Sequence, residues 1–163
     1  MNTLHINKPN EGEHLMVGSD IATIKASSLH TSGNMVMLEV RIAPGGGPPA
    51  LHRHESSEVF YILEGEFEVS TADETGVVTR ATLTAGDTLA IPSMAWHNFK
   101  NIGASQGRVL AVHSPTTIEA FIQAAGVSIT DPFDPPEAQK PTPEQMERMK
   151  AAMNTYMEIL RPQ

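Results

Sequence analysis

The residues with the clearest capacity for chemistry are two histidines and a glutamate in the stretch Gly46-Gly-Pro-Pro-Ala-Leu-His-Arg-His-Glu-Ser-Ser-Glu58. His52, His54 and Glu58 lie at even offsets from one another. Because alternate side chains of an extended strand face the same side, two imidazoles and one carboxylate can converge on one ion. His97 comes after a proline and turn residues that can bring the chain back across a sheet. The spacing therefore predicts a metal site held by these four residues.

The ligand types also predict what kind of metal site this is. The protein has no cysteine, so any metal must be held by nitrogen and oxygen. Three neutral imidazoles and one carboxylate leave one or two positions open on a five- or six-coordinate ion, which is the requirement for a catalytic site. We expect one divalent transition-metal ion, which the ligand types alone do not select.

Other polar residues are given ordinary structural roles. A lone histidine in a β protein usually lies on the surface or makes hydrogen bonds in the core. That interpretation applies to His5, His14, His30 and His113. Glu55 and Glu64 are interpreted as solvated acids at the rim of the site. Arg53, between the two histidines, should point away from them and form a surface ion pair of little energetic weight.

Short apolar runs separated by turn residues predict β-strands from residue 20 onward. The runs are Ile21–Ile24, Met35–Ile42, Val59–Leu63, Glu66–Val69, Val77–Val78, Ala81–Leu83, Thr88–Ile91 and Arg108–Val112. Their spacing is typical of an all-β sandwich or barrel. We therefore divide the chain into an N-terminal arm (1–19) with at most one edge strand, a β-barrel (20–114) and a C-terminal helical extension (115–163).

Two capping patterns predict short helices in this extension. Thr116 and Glu119 form a capping box ahead of an apolar face. Thr142, followed by Pro143 and Gln145, is a second start signal. One face of this second helix carries Met146, Met149, Met153, Tyr156 and Leu160. Such a face is either an adaptable binding surface or a packing face against the barrel or a second subunit, and packing is the commoner role.

Charge and hydropathy limit the partners. The formal net charge of −8, from 19 acidic and 11 basic residues, opposes binding to nucleic-acid phosphates. No window approaches the roughly 18 apolar residues of a membrane-spanning helix. The first residues lack the charged and apolar regions of a secretory signal. We expect a cytoplasmic protein that acts on a small-molecule substrate and binds neither nucleic acid nor membrane.

Two stretches of the sequence resemble the motifs of the cupin superfamily. They are Gly46-x5-His52-x-His54-x3-Glu58-x6-Gly65 and Gly86-x5-Pro92-x-Met94-x2-His97-x3-Asn101. The only departure is Met94, where the family has glycine, and we expect a side chain there to narrow the mouth of the site or alter the loop. The resemblance implies an all-β cupin double-stranded β-helix (jelly-roll) barrel with short C-terminal helices. It also implies that the two histidines and the glutamate of the first motif, with the histidine of the second, bind one metal.

The residues around the first motif are most similar to the single-domain quercetin dioxygenase-like cupins. That group includes enzymes that add dioxygen to an aromatic or enol substrate at iron, manganese, nickel, cobalt or copper. The resemblance implies a metal-dependent dioxygenase, an oxidoreductase. We add the hypothesis that Glu58 acts as general base. The ligand types admit Fe, Mn, Ni, Co, Cu or Zn as the ion. Two other classes stay open: a non-oxidative cupin, such as an isomerase or decarboxylase, and a small-molecule binding or sensing module.

Strand parity extends the site to a substrate pocket. Phe60 and Ile62 share the parity of Glu58, and Phe99 lies two residues beyond His97. These three apolar side chains are predicted to form the wall that a planar substrate contacts.

The other face of the same predicted strand is apolar as well. It carries Val59, Tyr61 and Leu63. A strand that is apolar on both faces needs a cover, so we expect a helix or a second subunit there, most simply in a homodimer.

Overall fold

The strands of this chain form two antiparallel sheets in a computed structural model that describes residues 4–135 and 142–160. The strands are β1 (Glu13–Val17), β2 (Asp20–Ala26), β3 (Val36–Ile42), β4 (His52–Arg53), β5 (Ser57–Glu64), β6 (Glu66–Ala72), β7 (Val78–Thr84), β8 (Thr88–Ile91), β9 (Trp96–Asn101), β10 (Gly107–Ser114), β11 (Val127–Ser128) and β12 (Glu158–Ile159). A short 3-10 helix spans Ser28–Thr31, and the α-helices are α1 (Thr117–Ala125) and α2 (Pro143–Tyr156). The all-β class with short C-terminal helices is confirmed.

The order of the strands explains how distant residues meet. One sheet has the order β11-β1-β2-β3-β10-β5-β8, and the other has the order β12-β4-β9-β6-β7. Many neighbours are far apart in sequence, as expected for a jelly roll. Strands β4 and β5 follow each other in sequence but lie in different sheets. The first histidine pair and Glu58 therefore approach the interior from the two opposing sheets.

Apolar side chains fill the space between the sheets. One buried cluster consists of Ile42, Ile62, Phe67, Phe99 and Val109. Within it the rings of Phe67 and Phe99 stack with centroids 4.5 Å apart. A second cluster is closed by helix α1 through Ile122. These two clusters hold the walls of the barrel around a central cavity.

Asn101, the last residue of the second motif, has a structural role. Its side chain is fully buried, and its amide donates to the carbonyls of Ile42 at 2.8 Å and Ser105 at 2.9 Å. Its Oδ1 accepts from the backbone N–H of Gly103 at 2.9 Å. Because one side chain satisfies three backbone groups, it fixes the turn that follows β9.

The two helices form where the sequence predicts them, but only one has the predicted cap. Helix α2 begins with the capping box between Thr142 and Gln145. The cap expected at the start of α1 is wrong, because Thr116 makes no side-chain cap bond. Its backbone is not extended, as a cap requires, and the carboxylate of Glu119 accepts instead from the backbone N–H of Ser28 at 2.9 Å. Neither α-helix of the described chain is long and apolar enough to cross a bilayer.

The first and last strands of the described chain pair with strands of the two sheets. Strand β1 pairs with β2 and β11, so the segment expected to form an arm extends the larger sheet. Strand β12 pairs with β4, with Ile159 opposite His52. Arg53 points to this edge strand and forms the expected ion pair, with its guanidinium 2.6 and 2.8 Å from the carboxylate of Glu158. The C-terminal strand therefore borders a strand that carries a predicted metal ligand.

The apolar outer face of β5 is not covered by either helix of the described residues. Val59 is 46% exposed and Tyr61 is 45% exposed. Helix α1 packs instead on the second core cluster. The helical cover considered for this face is therefore absent from the structure.

Candidate metal centre

Three histidines from the two motifs meet in the barrel. Each of His52, His54 and His97 offers a ring nitrogen, and these nitrogens lie within 4.8 Å of one another. All three side chains are buried. His52 and His97 are direct partners in the antiparallel pair of β4 and β9, which explains their approach. Strand pairing thus brings together imidazoles that are 45 residues apart in the sequence.

Backbone carbonyls set the orientation of two of these rings. Nδ1 of His52 lies 3.1 Å from the carbonyl oxygen of Ala50, and Nδ1 of His97 lies 2.9 Å from that of Ala95. A carbonyl can only accept, so each Nδ1 carries the proton and donates it. The lone pair on each Nε2 is then free for a ligand. This is the usual support behind a metal-binding histidine.

Glu58 adjoins the histidine cluster from the opposite sheet. Its Oε1 lies 3.0 Å from Nε2 of His54, and its Oε2 lies 3.4 Å from Nε2 of His97. Despite these distances, His54 Nε2 and Glu58 Oε2 are buried without a hydrogen-bond partner in the described chain. Buried polar atoms normally have partners, so a nitrogen and an oxygen with free lone pairs in one buried cluster fit a cation between them. The residues therefore fit a divalent metal ion.

Burial sets the protonation of these groups in the form that a metal requires. Burial lowers the pKa of His52 to about 4, and the neighbouring His97 adds to the shift. Burial also lowers the pKa of His97. It would raise the pKa of Glu58, but the close imidazoles of His113 and His54 outweigh it and hold that pKa well below its usual range. At neutral pH His52 and His97 therefore present neutral imidazoles and Glu58 an ionised carboxylate, the protonation states in which these groups bind metals.

His113 belongs to this centre, although the sequence assigned it an ordinary structural role. It is buried, and its Nδ1 lies 3.0 Å from Oε1 of Glu58. The two residues are partners in the antiparallel pair of β10 and β5. In the sequence, the only indication of this position was that His113 is separated by even offsets from the apolar residues Ala111 and Val109 and so shares a strand face with them. Because Leu110 and Val112 on the other face are also apolar, the pattern did not show which face points inward.

The four predicted metal ligands line a cavity of about 390 Å³. Two of the predicted substrate contacts, Phe60 and Phe99, line it. The third, Ile62, is fully buried and packs in the core cluster with Phe67 and Val109 instead. The predicted apolar wall is thus formed in the structure by the two phenylalanines, while Ile62 lies outside the cavity lining.

Residues outside the two motifs supply much of the remaining cavity wall. The turn from β1 to β2 contributes Val17, Gly18, Ser19 and Asp20. Helix α1 contributes Ile118, Phe121 and Ile122, and α2 with its end contributes Met149, Met153 and Met157. Sequence reasoning missed the turn and favoured packing for the methionines, because these contacts depend on how distant segments dock.

Asp20 connects this wall to the glycine-rich turn ahead of the histidines. Its carboxylate accepts from the backbone N–H of Ala43 at 3.0 Å and of Gly47 at 2.8 Å. Burial raises the pKa of Asp20, while these hydrogen bonds act in the opposite direction. Gly47 has φ +112°, and a Cβ there would collide with the carbonyl oxygen of Phe99. The turn therefore requires glycine at this position and lies directly against the ligand-bearing β9.

Met94 shows why the second motif usually has glycine at this point. Its φ of 63° lies in the left-handed region, where side chains other than glycine are strained. The backbone N–H of Met94 donates to the carbonyl of His54 at 2.9 Å, which joins the two motifs. The side chain is 42% exposed and is not among the residues that line the cavity. The effect of Met94 in this structure is backbone strain in the turn and not a narrower cavity.

Comparisons with known proteins agree with this geometry. Residues 38–113 match the family model described as "Cupin domain". The chain is 31% identical over 104 residues to auxin-binding protein 1 of Arabidopsis thaliana, covering 61% of this chain and 52% of that protein. It is 46% identical over 50 residues to acireductone dioxygenase of Yarrowia lipolytica, covering 29% of this chain and 28% of that protein. The chain therefore spans about half or less of the length of these relatives.

Solved structures show the same fold. An RmlC-like cupin from Shewanella frigidimarina matches with a TM-score of 0.56 at 23% identity, covering 69% of this chain and 92% of the other. Oxalate decarboxylase from Bacillus subtilis matches with a TM-score of 0.59 at 19% identity, covering 71% of this chain and 30% of the other. These matches show a jelly-roll barrel, and the stretch that matches the cupin domain contains both motifs.

Proposed function

We propose that this chain, whose residues 38–113 match the cupin domain, is a metal-dependent dioxygenase acting on a small aromatic or enol substrate. The observation that carries the proposal is the meeting of three imidazoles with the ionised carboxylate of Glu58 in the wall of an apolar cavity of about 390 Å³. Such a cavity falls in the range that buries small organic ligands. A site of this kind offers both metal coordination and an apolar environment for the substrate.

Four side chains would hold the metal: His52, His54, Glu58 and His97. When bound, the ion would supply Lewis-acid and redox chemistry at the open coordination positions. Glu58 would also act as general base, taking the proton of the substrate hydroxyl on Oε2, which has no hydrogen-bond partner in the described chain. Its depressed pKa makes it a weak base, so this transfer requires a substrate hydroxyl that the cation has already made more acidic.

The charges around the cavity favour a substrate with little negative charge. Among the described residues that line it, the acids are Asp20 and Glu58, and there is no lysine or arginine. A small dianion would therefore lack a partner other than the metal and would face two carboxylates. Phe60 and Phe99 instead offer aromatic faces, with ring centroids 5.2 Å apart. These features support a neutral aromatic or enol substrate with one ionisable oxygen.

The test is oxygen consumption by protein reconstituted separately with Fe, Mn, Ni, Co, Cu and Zn. We expect uptake of dioxygen with at least one flavonol, catechol or diketone under one of these metals. Change of the substrate without oxygen uptake would instead support an isomerase or decarboxylase. Tight metal binding with no change in any of these compounds would support a binding or sensing module, and either result would contradict the dioxygenase.

The role of Glu58 is tested by comparing turnover with metal content. Glu58→Ala should abolish turnover more completely than it lowers the metal content, because the histidines remain as ligands. Glu58→Gln keeps the size of the side chain and one potential ligand oxygen but removes the basic carboxylate. We expect it to retain more metal than Glu58→Ala while remaining inactive. Equal losses of metal and turnover in both variants would limit Glu58 to a ligand role.

We also propose that the outer face of β5 forms a homodimer interface. Val59 lies between Ala90 and Val112 of the neighbouring strands, which gives an apolar row across the sheet. Tyr61 in the next row is 45% exposed. A second copy of the same face can cover these rows by an isologous contact, which needs no other partner.

The dimer is tested by light scattering coupled to size exclusion. The wild-type protein should have the mass of two chains. Tyr61→Asp should reduce the measured mass to that of one chain, because a carboxylate would be buried in the contact. Val78→Asp, on the exposed strand β7 of the other sheet, is the matched control and should leave the mass unchanged. A wild-type protein that runs as a monomer at micromolar concentration would exclude this interface.

A further inference from the structure

Three thioethers form part of the cavity wall that neither cupin motif supplies. Met149 and Met153 lie on helix α2, and Met157 directly follows its last residue. The three are spaced four residues apart, which places them along one face of the helix. Met146 lies on the same helix but is 53% exposed and does not line the cavity. The helix therefore presents a defined set of methionines to the cavity.

Contacts on several sides hold this wall in place. The guanidinium of Arg148 donates to the carbonyl of Gly126 at 2.8 Å, which ties α2 to the end of α1. The rings of Tyr156 and Phe121 meet edge to face at 6.4 Å. Beyond the helix, β12 pairs with β4, and Ile159 lies opposite His52. The thioethers thus have a fixed distance from the strand that carries a metal ligand.

The chemistry of the wall indicates what it contacts. Thioethers are flexible and polarisable, and they make favourable contacts with aromatic rings. The rings of Phe60, Phe99 and Phe121 also line this cavity. A single-ring compound bound at the metal would leave much of a 390 Å³ cavity unfilled. A ligand with fused rings would reach further along the apolar lining.

We propose that the C-terminal segment Thr142–Leu160 is the specificity element of this site. Met149, Met153 and Met157 contact the rings of the substrate and favour planar aromatic compounds of two or more rings over single-ring compounds. The proposal rests on the proposed function in placing the hydroxyl end of the substrate at the metal. It concerns binding only, so it does not require that dioxygen be used.

The test measures the affinity of two matched probes, 2-naphthol and phenol, which carry the same hydroxyl and differ by one ring. Binding is followed by the fluorescence of each probe and by calorimetry, with metal-free and metal-loaded full-length protein. Met153→Ala should lower the affinity for 2-naphthol by about tenfold, because part of a methionine contact is lost. It should lower the affinity for phenol by less than about twofold. Met153→Leu nearly conserves the side-chain volume, so its affinity for 2-naphthol should be within about threefold of the wild-type affinity.

Met146→Ala is the matched control, since this methionine shares the helix but not the cavity. Met149→Ala and Met157→Ala are measured in the same way, so that the test does not depend on the folding of one variant. Equal effects of Met146→Ala and Met153→Ala would overturn the proposal, and so would proportional losses for the two probes. If the probes bind and respond to the variants as expected but no oxygen is consumed with any substrate, the specificity element stands and the dioxygenase proposal fails.

Discussion

Two parts of the cavity wall, which we call the metal end and the thioether end, are built in opposite ways. At the metal end, buried polar groups from β4, β5, β9 and β10 approach within hydrogen-bond distance, and backbone carbonyls orient the rings of His52 and His97. At the thioether end, flexible apolar side chains come from a helix near the C-terminus. Rigid strands suit ligands whose positions must be accurate to a fraction of an ångström, and unbranched methionines suit a surface that adapts.

This contrast leads to different responses to substitution. A buried ligand cannot be replaced without leaving other polar atoms unpartnered, which is costly. A methionine that faces a cavity can be replaced by another apolar residue with a smaller effect on the fold. The metal end should therefore determine whether the protein is active, and the thioether end should determine which ligands it binds.

Removal of a metal ligand is expected to have the largest effect. Changes to residues behind the ligands typically lower metal affinity by about 10–100-fold, so His97→Ala should lower it by more than about 100-fold. Metal content after dialysis, measured by elemental analysis, should fall close to zero, while 2-naphthol still binds with an affinity within about tenfold of wild type. His5→Ala, an exposed histidine away from the cavity, should retain the full content. Full metal content in His97→Ala would contradict the assignment of His97 as a metal ligand and the difference expected between the two ends.

Acid should destabilise the metal-free protein through the metal end. The pKa of His52 is lowered in the folded protein to about 4, so its contribution to stability is present above the unfolded value of 6.5 and is lost as the pH falls through 4. Between pH 7 and pH 4 the free energy of unfolding should decrease by about 3 kcal/mol from this group alone. Glu58, whose pKa is also lowered, adds a loss of the same sign below its unfolded value of 4.5.

Urea denaturation of the metal-free protein at a series of pH values measures this loss. His52→Gln has no group that titrates in this range, so its stability should depend less steeply on pH between 7 and 4. Met153→Leu, at the other end of the cavity, should keep the full pH dependence of the wild type. A slope that is the same in His52→Gln and in wild type would show that the acid response arises elsewhere in the protein.

The metal end could be predicted from the sequence because its signal is local and chemically uncommon. Two histidines and a glutamate lie within seven residues, and His97 is placed by the second motif. The single strand face that their even spacing predicts does not form, because β4 and β5 lie in different sheets. His113 could not be found in this way, because its approach to Glu58 depends on the pairing of β10 with β5. Parity correctly placed Phe60 and Phe99 on the cavity, but it could not distinguish a wall position from the core position that Ile62 takes.

Only part of the thioether end could be predicted from the sequence. The cap at Thr142 correctly predicted the start of the helix. Of the predicted apolar face, Met149 and Met153 line the cavity, but Met146 is exposed and Leu160 lies beyond the end of the helix at Tyr156. Whether that face meets a ligand or another protein surface depends on where α2 docks, and the docking is set by long-range contacts such as that of Arg148 with Gly126. The same limit applies to Asp20 and the turn before it, which reach the cavity because β1 extends the sheet.

The smallest expected effect tests strain at the metal end. Met94 has a left-handed backbone, which costs a residue other than glycine about 1–2 kcal/mol. Glycine removes this strain but gives the unfolded chain more freedom, which costs about 0.4–1 kcal/mol. Met94→Gly should therefore raise the free energy of unfolding by about 0.5–1 kcal/mol, measured by urea denaturation. Met94→Ala, which keeps the strain and removes most of the exposed side chain, should give no such gain. A gain of equal size in both variants would show that the exposed methionine side chain, and not its backbone, limits stability at this turn.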